Sequence, residues 1–259
     1  MCGIAAMLLE PKYRTDQELI EIRDLITENI LVNEERGKEA TGIAVIQKDG
    51  TILVEKMASK ASDFVKSEVY LDLLQKINHQ TVSILGHTRM PTKGDVKYEY
   101  NNHPIMSGSV IGIHNGHIKN DDELFARCDC RRTGQVDSEI IFQILNKCGA
   151  DGFKTDNIES LMHGMKVMEG KYTFLAVTKH SPEKLLVVKH SNPLSMYYEP
   201  NWKALIFSSR YIFLRKRFGN KVIQQDIKND SVLLFDANTL VENQHKPLAS
   251  IHLNIETAI

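Results

Sequence analysis

Apolar and polar positions recur along the chain with two different periods, and these divide it into elements. "GIAAMLL" (3–9) is an unbroken apolar run of strand length, as expected of a strand buried on both faces. "TDQELIEIRDLITENILVNEERG" (15–37) has the helical period instead. Leu19, Ile22 and Ile26 form one stripe, Thr15 and Glu18 fit a capping box, and Gly37 lies beyond the end. "GIAVIQKDGTILVEK" (42–56) is two apolar runs about Asp49-Gly50, a hairpin signal. "SDFVKSEVYLDLLQKI" (62–77) reads as a second amphipathic helix. "DSEIIFQILNKCG" (137–149) reads as a third, with Asp137 or Ser138 as its cap and Gly149 behind it, and "NIESLMHGMKVMEG" (157–170) as a fourth. Strands are expected at 82–88, 109–116, 172–178, 184–190, 203–209 and 231–237. They are short, close together and hairpin-linked, while the helices fall in the first two-thirds of the chain. This predicts antiparallel sheets with helices packed on them rather than parallel βαβ units. No repeat, low-complexity tract or composition break interrupts the sequence, so one domain over 2–259 is expected.

Composition narrows the function classes. The 259 residues are 42% hydrophobic and 25% charged with a net charge of -1, ordinary for a globular protein and without bulk attraction for nucleic acid or an acidic membrane surface. No apolar run approaches the ~18 residues of a membrane span, and the N-terminus lacks the pattern of a secretory signal. Four cysteines, Cys2, Cys128, Cys130 and Cys148, are too few to staple a chain this long and point to a reducing cytoplasm. The C-x-C pair has no second C-x-x-C or close histidine pair, so plain thiols are expected, with no metal and no other cofactor.

Candidate chemistry gathers in four polar clusters, each next to an apolar strand: "ERGKEATG" (35–42), "GHTRMPTKG" (86–94), "NNHP" (101–104) and "HNGHIKN" (114–120). Any one of them alone reads as a turn. Together they place His87, Arg89, His103, His114 and Asn115 at strand ends, where sites tend to be built. The opening "MCGIAAML" adds a cysteine directly behind the initiator. Removal of Met1 would leave Cys2 carrying both a thiol nucleophile and a free α-amine as base.

"CGI", "RG…ATGIAV", "GHTR-x-PT-x-G", "NNHP", "HNG-x-I-x-N" and "DSE", in that order over residues 2–139, resemble the class II glutamine amidotransferase domain. Its members include the glutaminase halves of glucosamine-6-phosphate synthase and of glutamine phosphoribosylpyrophosphate amidotransferase. Weaker likeness continues through "EGKYTFLAV", "SNPLSMYY" and "ALIFSSR" to about residue 240. The resemblance implies an α+β fold, a four-layer αββα sandwich of two antiparallel sheets flanked by helices, of the N-terminal-nucleophile hydrolase type. It also implies hydrolysis of the side-chain amide of L-glutamine to glutamate and ammonia.

The residue roles follow from the same likeness. Cys2 is the expected nucleophile, with an α-amine of reference pKa about 7.7–8.0 able to take its proton near neutral pH. The Asn115 side-chain amide and the Gly116 N–H are the expected oxyanion donors. Arg89 matches the residue that holds the glutamine α-carboxylate, and a guanidinium can do so through a two-point fork. Thr92 is expected to assist at that end, and Asp137 to receive the α-ammonium. His87, His103 and His114 take supporting, loop-organising roles, and Arg36 and Gly37 position the nucleophile loop. Two positions depart from the sugar-pathway pattern, which usually has tryptophan and histidine where this chain has Met90 and Lys93.

No ammonia-consuming half fits within this length. The expectation is therefore a stand-alone glutaminase that passes ammonia to a separate acceptor synthetase or transferase subunit. The basic run at 210–221 is either a face toward such a partner or a solvated surface. Two rivals are weighed against this: a glutamine-binding sensor with weak or no hydrolase activity, opposed because every mapped catalytic position is filled, and an N-terminal cysteine hydrolase acting on another amide, opposed by Arg89 and Asp137.

Overall fold

A computed structural model describes residues 1–219 and 225–253. Thirteen strands form two antiparallel sheets among the described residues. The first sheet runs in the order β11 (Gln225–Asp226), β9 (Ser195–Glu199), β10 (Ala204–Ser208), β1 (Gly3–Leu9), β4 (Thr81–Arg89), β2 (Ala40–Gln47), β3 (Ile52–Met57). The second runs β13 (Ala249–His252), β12 (Ser231–Asp236), β8 (Ser181–Lys189), β7 (Gly170–Thr178), β6 (Val110–Ile118), β5 (Ile105–Ser107).

Side chains alternate across each strand, so one run feeds two cores. In β1, Ile4, Ala6 and Leu8 join Ile111, Ile113, Leu175 and Val187 of the second sheet in a core between the sheets. Ala5, Met7 and Leu9 face the other way, under α1 (Asp16–Asn33) and α7 (Tyr211–Phe218). The outer face of the second sheet is covered by α4 (Asp121–Arg127), α5 (Ser138–Cys148) and α6 (Ile158–Lys166). The result is the αββα layering that the family resemblance implied, with the antiparallel sheets expected from the residue pattern. Because both sheets are covered on both faces, their central strands read as continuous apolar runs rather than alternating ones.

The expected Thr15–Glu18 capping box is present on α1, contributing about 1 kcal/mol. The helix ends at Asn33, and a 3₁₀ turn over Glu34–Arg36 completes the approach to Gly37. The helix expected at 62–77 is two: α2 (Ala61–Phe64) and α3 (Glu68–Gln75). Ser67 causes the break, donating its hydroxyl to Phe64 O at 2.7 Å and capping Tyr70 N. The basic run is mostly α7, with Arg210 paired to Glu35 and Arg217 to Glu28 at 3.8 Å; Asn220 and Lys221 lie outside the described residues. No helix is long and apolar enough to cross a membrane among the described residues.

Candidate active site

The register of the two sheets brings the sequence clusters to one end of the sandwich. Gly3 pairs with Thr88, which sets Cys2 beside the end of β4, and Ala40 pairs with Arg89 on the other side of that strand. In the facing sheet, Asn115 and Gly116 lie in β6 opposite Thr173 and Tyr172 of β7. Asp137 stands at the N-terminus of α5. A cavity of about 310 Å³ results, lined by Cys2, Arg36, Met90, Thr92, Asn115 and Gly116 among others. A narrow crevice continues from it past Arg89, Lys93, His103, His114 and Asp137, sharing Cys2, Thr92 and Gly116 with the cavity. Of the expected site residues, only Gly37 and His87 line neither space.

The half-buried Cys2 thiol lies 3.4 Å from both the N–H and the carbonyl oxygen of Met90. Burial pushes its pKa up, opposed by the Met90 N–H and by the charges of the chain terminus and Arg89. At neutral pH the thiol therefore holds its proton, and a nucleophilic role requires a base. Arg36 fixes the backbone here, its Nε donating to Cys2 O at 2.8 Å. Gly37 packs directly on the Thr88 and Arg89 backbone, where any Cβ would overlap main-chain atoms.

Arg89 is buried, and its guanidinium is largely committed to its own loop. Nη1 donates to Asn102 Oδ1 at 2.6 Å, and Nη2 to Lys93 O at 2.7 Å and Gly94 O at 3.0 Å. Both two-point edges of a guanidinium use Nη2, so in this arrangement Nε and one Nη1 hydrogen are left for a ligand, and not as a parallel pair. Thr92 is at the exposed rim. Asp137 does not cap α5 with its side chain. Its Oδ2 accepts instead from Ile118 N at 2.7 Å, with His117 Nδ1 at 3.4 Å.

The three expected supporting histidines are buried in one cluster of tilted rings, with ring centroids 4.2 Å apart for His87–His103 and 6.3 Å for His103–His114. Burial lowers all three pKa values, to about 3 for His87 and about 4 for His114, so the rings are neutral near pH 7. His114 Nδ1 is hydrogen-bonded to Ser138 Oγ at 2.7 Å and His87 Nε2 to His114 O at 2.9 Å, whereas both His103 ring nitrogens lack a partner.

Several residues that hold this site were not singled out in the sequence. Ser209 and Asn192 contact Asn115 through Oγ and Nδ2 respectively. Asn102 holds Arg89, and Asp121 and Asp122 hold the Lys93 ammonium while also pairing with Arg132. Asn102 sits inside the quoted "NNHP" and Ser209 inside "ALIFSSR", so their motifs were visible; their partners are distant in sequence and were not. No cluster of three or more His, Cys, Asp or Glu side chains suited to a metal occurs among the described residues. Cys128, Cys130 and Cys148 are free thiols packed against the core under α4 to α6.

A family model described as the glutamine amidotransferase domain matches residues 87–216, half of the chain, and so takes in Arg89, Asn115, Gly116 and Asp137. The chain belongs to that family. The domain is similar, at 27% identity over 248 residues, to 7-cyano-7-deazaguanine synthase of Saccharolobus solfataricus, covering 93% of this chain and 50% of that protein. It is 26% identical over 251 residues to the isomerizing glutamine–fructose-6-phosphate aminotransferase of Buchnera aphidicola, covering 90% of this chain and 38% of the relative. Among solved structures, glutamine phosphoribosylpyrophosphate amidotransferase from B. subtilis superposes with a TM-score of 0.72 at 15% identity, over 98% of this chain and 50% of that one. The shared architecture is that of the class II, N-terminal-nucleophile amidotransferase domain, as the ordered motifs implied. The domain spans half or less of the length of each of these relatives.

Proposed function

We propose that this domain hydrolyses the side-chain amide of L-glutamine through a Cys2 thioester, in the form from which Met1 has been removed, and delivers the ammonia to an acceptor enzyme on a separate subunit. The observation that carries the reading is the convergence of a thiol, an amide donor and a glycine N–H on one cavity: Cys2, Asn115 and Gly116.

The free α-amine of Cys2 takes the thiol proton, and Sγ attacks the amide carbon. The carbonyl electrons move to oxygen, giving a tetrahedral oxyanion. One hydrogen of Asn115 Nδ2 goes to Ser209 Oγ at 2.9 Å, which leaves the second for that oxygen. Gly116 supplies the other donor. The Tyr172 carbonyl opposite it accepts from His190 N at 3.0 Å and Ser191 N at 3.3 Å, so the ladder turns the Gly116 N–H away from β7. Collapse of the intermediate passes the proton from the amine to the departing nitrogen and releases ammonia. Water then hydrolyses the thioester to glutamate through a second oxyanion in the same place. Arg89, Lys93 and Asp137 give the crevice beside Cys2 cations and a carboxylate, which suits an α-carboxylate and an α-ammonium. Thr92 at the rim stands near the same head group.

The deciding experiment is glutamate release from glutamine and from asparagine by protein whose N-terminus is established by intact mass. Release from glutamine alone, dependent on a free Cys2 and absent in Cys2→Ala, is expected. Full activity with Met1 retained, or equal activity on asparagine, would exclude this chemistry. Binding of glutamine without turnover by correctly processed protein would favour a sensor.

A further inference from the structure

The Asn115 side-chain amide can be placed in two ways that exchange Oδ1 and Nδ2, and only Nδ2 carries hydrogens to donate. The surroundings decide between them through a chain of forced assignments. His114 O can only accept, and it lies 2.9 Å from His87 Nε2. The His87 proton is therefore on Nε2. That nitrogen is also 3.2 Å from the Asn115 amide, which must present its oxygen there because two donors would repel. Nδ2 is then on the opposite side, 2.9 Å from Ser209 Oγ. The same Ser209 Oγ accepts from Ile4 N at 3.0 Å, and Ser209 N donates to Ile4 O at 2.9 Å. Ile4 lies in β1, two residues beyond Cys2, which directly precedes that strand. Ser209 thus ties the strand bearing the nucleophile to the amide in the facing sheet, and all of Asn115, His87 and Ser209 are buried.

We propose that His87 and Ser209 are positioning residues which hold the Asn115 amide in one orientation, Oδ1 toward His87 and Nδ2 toward the cavity beside Cys2. His87 sets the orientation through its tautomer, and Ser209 sets the distance from the nucleophile strand. This deepens the reading of Asn115 as an oxyanion donor and rests on it. Neither residue touches substrate; both act through Asn115.

Four substitutions in seven variants of the processed protein test this: Ser209→Ala, His87→Leu and His87→Gln, each alone and combined with Asn115→Ala, and Asn115→Ala by itself. Loss of a whole oxyanion donor lowers kcat about 100- to 1,000-fold, so a misplaced donor is expected to cost about 10-fold in kcat with KM within about 2-fold. His87→Gln carries an amide N–H near the position of Nε2 and is expected to recover most of the loss seen in His87→Leu. In the Asn115→Ala background, Ser209→Ala and His87→Leu are expected to change kcat by no more than about 2-fold, because the group they position is gone. Equal effects in both backgrounds, or effects on KM alone, would overturn the positioning role while leaving Asn115 as the donor. An unchanged kcat in Asn115→Ala would remove the donor itself and this proposal with it. Should His87→Leu fail to fold, the Ser209→Ala pair of measurements decides alone.

Discussion

Lys93 Nζ lies 2.6 Å from Asp121 Oδ2, an oxygen that Arg132 also approaches at 2.6 Å. Asp121 is buried at the N-terminus of α4, and Arg132 stacks over Phe125 of the same helix. The carbonyl of Lys93 meanwhile accepts from Arg89. The 90–94 loop, which carries the Met90 N–H against Cys2, is therefore pinned by its side chain to α4 and by its backbone to β4. Lys93→Ala leaves Asp121 paired with Arg132, so its cost in stability is expected to stay within about 1 kcal/mol. Asp121→Ala removes the shared buried anion and is expected to cost about 1–3 kcal/mol. Both free the loop and are expected to raise KM for glutamine several-fold. Denaturant unfolding and steady-state kinetics on the pair check the order; a larger stability loss for Lys93→Ala would contradict it.

The buried histidine cluster gives stability a defined pH dependence. Burial holds His87, His103 and His114 neutral, with folded pKa values of about 3 and about 4 for the first and last, against about 6.5 unfolded. The unfolded chain therefore binds more protons as pH falls below about 6.5. Stability is at its full value above that pH and is lost toward about pH 4, by up to about 1.4 kcal/mol per pH unit for each histidine. Denaturation midpoints measured from neutral pH downward should fall over this window. Replacing His103, whose ring nitrogens have no partner, by Phe should flatten the slope by about one proton. A midpoint independent of pH across the window would show the rings to be charged or solvated.

The layers of the fold were legible in the sequence because burial on both faces leaves a plain mark. Ile4 to Leu9 admit no polar residue, and α1 announces itself through its capping box and stripe. Less visible were elements whose cause is a single local bond, such as the Ser67 cap that divides α2 from α3. α4 was also missed, since its apolar contribution is small and its role is to present Asp121 and Asp122. At the site, motif order brought out the residues facing the cavity. Ser209, 94 positions from Asn115, could not be found that way, because the link between them exists only once β10 and β6 face each other across the sandwich.

Gly116 is expected to tolerate no side chain. Its φ is +139, and a Cβ would overlap the Lys171 carbonyl oxygen on β7. Backbone strain of this kind costs about 1–3 kcal/mol before the clash is counted, and relief would require β6 and β7 to separate. Gly116→Ala should therefore lower the unfolding temperature and abolish glutamate release together. Gly3→Ala tests the neighbouring strand, where the added carbon meets Thr88 Oγ1 and the Asn33 side chain at 2.6 to 2.8 Å. Side chains can yield a little where backbone cannot, so a smaller loss is expected there. Thermal unfolding of the two variants side by side gives the comparison, and a milder effect at Gly116 would contradict it.

Arg89→Lys separates a structural duty from a binding one. A lysine keeps the positive charge but offers one point in place of a planar fork. Three hydrogen bonds now join Arg89 to Asn102, Lys93 and Gly94, and all are charge-assisted. A lysine ammonium can retain one of them, so the loss of the other two is expected to be about 3–6 kcal/mol, or on the order of 10 °C or more in a protein of this size. The loop that holds Met90 over Cys2 would loosen at the same time. If Arg89 also reads the glutamine α-carboxylate, it must do so through Nε and one Nη1 hydrogen or after releasing the Lys93 and Gly94 carbonyls. In either case KM should rise by more than in Lys93→Ala, which leaves the guanidinium intact. Calorimetric titration of glutamine into Cys2→Ala and into Cys2→Ala combined with Arg89→Lys isolates binding from turnover. Weaker binding accompanied by a lower unfolding temperature is the expected outcome. A lower unfolding temperature with unchanged glutamine affinity would assign Arg89 to the loop alone and move the carboxylate contact to Lys93 or to the main chain around Thr92.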